Sequence, residues 1–262
     1  MEHEPRSTAA PGLKDANTAF ATSARRRRRR RTDWRLGGRG VSRWDSRLLV
    51  VILASAGIGA FGSYLLARID SNIAQMLSGI ALWTGLLGAV VYAMSRAIPA
   101  SLLAIRAPDI LWGVGLAAAL RYLGGILSGA DSATFPSLAI GPNSNALREF
   151  FTELGLRGVG GPLMEELYFR AVLLVVVFQL LRRSTGSIGA GIAASFVSMG
   201  AFVCIHALYA PVTLMEGLQL SILALACSSL VLLTGRMWGA VILHVSYNVS
   251  FLVLQGMGTL YA

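Results

Sequence analysis

GPLMEELYFRAVLLVVVFQLL, residues 161–181, decides how this chain is read. As a helix it is about 30 Å long, the thickness of a bilayer's hydrocarbon core. Glu165, Glu166 and Arg170 sit in it without a polar face that would hold them in water. An ionisable side chain in a membrane helix costs at least a few kcal/mol, so it turns towards a protein interior and has a task there. On a soluble helix the same run would be a solvated charged face; the flanking VLLVVVFQLL removes that reading.

Helix geometry divides the three charges. Gly161-Pro162 reads as a helix start, because proline is tolerated in the first turn. The positive end of the helix dipole would then favour the carboxylates that follow. Glu165 and Glu166 are about 100° apart around the axis and cannot point the same way. Glu166 and Arg170 are i,i+4 and form a natural ion pair. Glu165 is therefore the freer carboxylate and the candidate general base, with Glu166 and Arg170 holding its helix and its charge.

Further apolar segments surround this one. Spans are expected at about 48–67, 73–94, 110–127, 187–209, 216–234 and 238–255, with Arg121 interrupting the third. The fold expected is an all-α, polytopic transmembrane helix bundle of about seven spans. Residues 144–157 read as a short amphipathic helix at the interface, capped by Ser144 or Asn145. His206 lies one turn after Phe202, and His244 one turn before Asn248. Either pair alone would be an ordinary interhelical hydrogen-bonding contact. Beside two carboxylates they make a proton-transfer set, in which His244 and Asn248 would aim two donors at a developing oxyanion. On these boundaries Glu165 and His206 lie near the outer ends of their helices, and His244 lies about six residues, roughly 9 Å, from the inner end of its own. A shared site needs tilted, re-entrant or shifted helices.

Composition agrees. The chain is 14% charged, against about 25% for soluble domains. Of its 23 Lys+Arg, 13 lie within residues 1–47, so the net charge of +10 is mostly a property of the tail. The tail, 1–47, is expected to be disordered and cytoplasmic, with residues 1–24 lacking any apolar period. Its Arg25–Arg31 run is attracted to anionic headgroups, and Arg35, Arg39, Arg43 and Arg47 could line one helix face. Membrane lipid is therefore an expected partner. Nucleic acid is not, since no aromatic interleaving or recognised module accompanies the basic run. With the N-terminus inside, Arg96, Arg106, Arg182, Arg183 and Arg236 fall on the inner face, and Arg68, Arg148 and Arg157 outside. Cys204 and Cys227 read as buried small hydrophobes rather than a disulfide framework.

The segments GPLMEELYFRAVL, FVCIHAL and LTGRMWGAVILHVSYN carry EExxxR, FxxxH and HxxxN in order. Over about residues 145–255 the chain resembles the CPBP intramembrane proteases, a group including CAAX prenyl proteases and bacterial immunity-type proteins. Ala171 departs from the family's usual glycine, which affects packing and removes no chemistry. The resemblance implies a helical-bundle protease domain over 48–262 in the cell membrane, cutting a membrane-associated protein or peptide. Glu165 and His206 would activate water, and His244 and Asn248 would stabilise the oxyanion. A non-catalytic immunity factor or transporter using the same polar residues is the alternative. Glutamate with two histidines is a known zinc ligand set, yet the same groups can activate water directly. The expectation is that no cofactor is required, with zinc as the alternative.

Overall fold

The computed structural model describes residues 34–35, 38–132, 136–138, 145–209 and 211–261. Among these every regular element is helical. In chain order, α1 is Ser46–Ala67, α2 Asn72–Arg96, α3 Ala107–Leu127 and α4 Ala146–Glu153. A π-turn, Leu154–Gly160, leads without a break into α5, Gly161–Glu166; a second, Leu167–Leu173, leads into α6, Leu174–Tyr209. Helices α7, Leu214–Thr234, and α8, Trp238–Tyr261, complete the chain. Six segments are long and apolar enough to cross a membrane, and one of them, Leu147–Leu208, is 62 residues long. This is a multi-pass membrane protein.

The long segment holds two of the expected spans. Gly186 breaks it with φ 70° and ψ 175°, a conformation essentially reserved for glycine. The chain reverses there. The Ser198 hydroxyl donates to the Phe169 carbonyl at 3.0 Å, and the Phe169 and Phe202 rings meet edge to face at 5.3 Å. This hairpin register sets the first-motif glutamates level with His206.

The start of the first arm differs from the sequence expectation. Gly161 does not begin a helix, because the backbone is already helical from Ala146. Pro162 has no N–H for the carbonyl one turn back and its ring crowds that turn. The π-turn absorbs this by shifting the Gly161 N–H to the Leu156 carbonyl, five residues back. Glu165 is thus deep in a continuous helix, beyond reach of the terminal dipole invoked above. Glu165 and His244 nevertheless meet, Oε2 to Nε2 3.7 Å, although His244 stays near the start of α8 and His206 near the end of α6. At the helix's true start, Asn145 Oδ1 accepts from the Leu147 and Arg148 N–H groups, and Glu153 pairs with Arg157 at 3.0 Å.

From Tyr168 to Phe178 every residue is buried, as a helix apolar on all sides must be. Around this centre α1 packs on α2 through Gly59 and Gly85, which approach so closely that a Cβ on Gly59 would stand 2.8 Å from the Gly85 Cα. Such small-residue contact is how membrane helices gain packing without a hydrophobic drive between them. Ser63 and Ser78 add a hydroxyl pair at 2.8 Å. The outward faces of α1–α3 show large apolar side chains such as Ile58 and Leu111, as lipid contact requires.

The tail boundary expected at residue 47 lies further upstream. Trp34, Val41 and Trp44 are buried in the core. Trp34 Nε1 donates to the Gly235 carbonyl at 3.2 Å, and Trp44 Nε1 to the Ala93 carbonyl at 3.1 Å. The four-residue arginine spacing does not form a helix: Arg39–Val41 is a single 3-10 turn. The Arg25–Arg31 run and residues 1–24 lie outside the described residues. Arg182 donates to the Arg35 carbonyl at 2.7 Å, Arg96 approaches Asp45 at 3.7 Å, and Arg236 pairs with Asp109 near Arg106. Arg182 and Arg96 thus contact the segment leading into α1, and Arg236 the start of α3.

Candidate active site

Glu166 and Arg170 form the expected pair, Nη1 to Oε1 3.0 Å, with both side chains 0% exposed. The guanidinium lies over the Phe202 ring, 4.7 Å from its centroid, and 5.6 Å from that of Phe169. His244, on α8, is the link that sequence spacing did not reveal. Its Nδ1 is 2.9 Å from Glu166 Oε1 and its Nε2 3.7 Å from Glu165 Oε2. Since an ionised carboxylate only accepts, the Nδ1 proton belongs to His244. One imidazole therefore spans the two adjacent glutamates, which diverge around their helix as their spacing requires. Glu166 Oε2 and the three Arg170 nitrogens make no aligned hydrogen bond with described residues.

His206 is half-buried, and its Nδ1 lies 2.9 Å from the Phe202 carbonyl. A carbonyl cannot donate, so this contact fixes the proton on Nδ1 and leaves Nε2 as a lone-pair base in the neutral ring. The Phe202 ring stands against both imidazoles, 4.4 Å from His206 and 5.6 Å from His244 between centroids. Glu165, 24% exposed at its side chain, lines a cavity of about 880 Å³ together with His206 and Asn248; the walls include Met76, Trp83 and Leu220. A second cavity of about 410 Å³ also opens onto His206 and Asn248.

All six expected residues are thus brought to one region, though not in the pairs anticipated. His244 and Asn248 do not aim together at one point. Both His244 nitrogens face glutamates and its side chain lines neither cavity. Asn248 borders both, and its amide donates to the Arg157 carbonyl at 3.0 Å. Cys227 is buried as expected, whereas Cys204 is exposed on the far side of its helix from His206, lining an apolar groove with Tyr64 and Ile205.

As a test for metal, no three His, Cys, Asp or Glu side chains among the described residues are placed to hold one ion. His244 Nδ1 is taken by Glu166, and its Nε2 faces Glu165 across 3.7 Å.

Two long-range arginine contacts escaped the sequence reading. Arg236 makes a bidentate pair with Asp109, Nη2 to Oδ1 2.6 Å and Nε to Oδ2 2.9 Å, with Asp109 1% exposed. It ties the α7–α8 turn to the start of α3. Arg121, earlier only an interruption in a span, points into the bundle. It donates to the Tyr247 carbonyl at 2.5 Å and the Ser250 hydroxyl at 3.1 Å. Neither contact has a local sequence signal, because the partners are more than a hundred residues apart.

Residues 148–250 match the family model described as type II CAAX prenyl endopeptidase Rce1-like. The match covers all three motifs and bears out the resemblance read from them. Comparison with curated proteins and with solved structures finds no match.

Proposed function

We propose that the chain is an intramembrane endopeptidase that hydrolyses a peptide bond of a membrane-associated protein or peptide. The observation that carries this reading is that Glu165 and His206, from the two arms of the Gly186 hairpin, line one cavity beside Asn248. Glu165 takes a proton from a water in that cavity as the water attacks the scissile carbonyl, and returns it to the leaving amine, while His206 Nε2, with its tautomer held by Phe202, accepts a hydrogen bond from the same water and orients it. A second Asn248 N–H is available for the oxyanion. His244 is a positioning residue that holds α8 to the buried Glu166–Arg170 pair, with its Nε2 facing Glu165. The route needs no metal. The contacts of Arg96 and Arg182 with the segment leading into α1 support a cytoplasmic N-terminus in the cell membrane, with anionic lipid at that face.

The test is cleavage of a fluorogenic transmembrane peptide by the full chain in liposomes. Glu165→Gln and His206→Gln each lower kcat by about 10²–10⁴-fold, the size of a general base or acid contribution, while helical content and elution volume stay unchanged. Near-native cleavage by both variants contradicts the proposal.

A further inference from the structure

The second cavity differs in character from the first. Its about 410 Å³ shares Arg157, His206, Leu220 and Asn248 with the first and adds Arg121 and Glu216, with Leu223 and Phe251 among its apolar walls. Arg121 is half-buried in an apolar helix, and each of its partners is neutral: the Tyr247 carbonyl, the Ser250 hydroxyl, and the Tyr247 and Phe251 rings at 3.9 and 5.1 Å. Among the described residues no carboxylate pairs with it. The cavity's lining carboxylate, Glu216, is turned to its own helix cap, where it accepts from the Thr213 N–H and hydroxyl at 2.8 Å. Arg157 is paired, with Glu153 at the surface. An intramembrane arginine with no counter-ion is an expensive arrangement, and such residues pair with a charge or mark a substrate path.

We propose that Arg121, assisted by Arg157, forms a carboxylate-binding subsite on the leaving-group side of the cleavage site. The inference rests on the hydrolase reading above for its direction: a chain threaded past Glu165 and His206 from the first cavity emerges into this one, since both border His206 and Asn248. Guanidinium is the side chain best matched to a carboxylate fork. The substrates selected are those presenting a negative charge just beyond the scissile bond, from the free C-terminus or from an acidic side chain. Arg121 is a specificity residue here, outside the water-activating set.

The test uses the full chain carrying Glu165→Gln, so that bound peptide persists, and a dansyl-labelled Leu/Ala dodecapeptide. Three forms are compared by anisotropy: free acid, C-terminal amide, and the amide with Glu at the last position. The acid is expected to bind at least about tenfold tighter than the amide, the range of one charge-assisted contact. Recovery of affinity by the Glu-containing amide supports the subsite and shows that a side-chain carboxylate serves; its failure to recover supports the subsite and restricts it to the chain terminus. Adding Arg121→Gln brings the acid-to-amide ratio to about one, and Arg121→Lys retains part of it. A merely structural arginine would weaken all forms alike. Equal Kd for all three peptides, or an acid preference that survives Arg121→Gln, overturns the inference. Should the native chain cut none of these peptides while the binding ratio holds, the hydrolase reading falls and the carboxylate site stands.

Discussion

His244 stands between Glu165 and Glu166, with its two ring nitrogens 3.7 Å and 2.9 Å from their respective carboxylates. The helix that carries the glutamates is thereby tied to α8 through buried Glu166, and the half-buried Glu165 faces the other ring nitrogen. This separates two kinds of residue that the first motif places side by side.

Glu166 and Arg170 are expected to act on stability. Breaking a fully buried pair by removing one partner costs about 3–5 kcal/mol. Arg170→Leu and Glu166→Leu should each lower the thermal midpoint in detergent and reduce the folded yield. The double variant Glu166→Gln/Arg170→Met should recover part of the loss, because no uncompensated charge remains. Differential scanning fluorimetry on all three distinguishes this from a purely catalytic role.

Gly186 is expected to resist substitution despite open space around it. A Cβ there meets nothing within 4 Å, so any loss comes from the backbone. Forcing an L-residue to φ 70° costs about 1–3 kcal/mol. Gly186→Ala should destabilise by that amount and lower activity, since the turn sets the Glu165–His206 register. Equal stability of Gly186→Ala and the native chain would show that the turn tolerates side chains.

The α1–α2 contact gives a paired comparison. Gly59→Leu places a side chain against Gly85 backbone and should separate the helices. Gly57→Leu, on the same helix with open space around it, should be neutral, within about 0.5 kcal/mol. Thermal midpoints of the two variants in one detergent decide the matter.

Because the donor set does not converge on one ion, proteolysis is expected to survive prolonged treatment with EDTA or 1,10-phenanthroline. Loss of activity with a chelator, restored by zinc, would require His206, His244 and Glu165 to rearrange around a metal.

The sequence exposed the apolar spans, the Glu166–Arg170 pair and the three motifs because these are local: each is a periodicity or a one-turn spacing. It placed Pro162 at a helix start because proline usually stands there, whereas the glycine-containing LGLRGVG run lets a π-turn carry the helix past it. Trp34 was counted with the tail because arginines surround it, and its burial depends on Gly235 and Phe178, far along the chain. Asp109–Arg236, Arg121–Tyr247 and the His244 bridge are products of packing between distant helices, which no spacing rule reports.

The most direct test of the central claim, that Glu165 and His206 work on one water, is a double-mutant cycle on kcat. Residues acting as a unit are strongly non-additive. The Glu165→Gln/His206→Gln double variant is predicted to be no more than about threefold slower than the worse single variant. Losses that multiply across the two substitutions would show that the residues act independently and contradict the account.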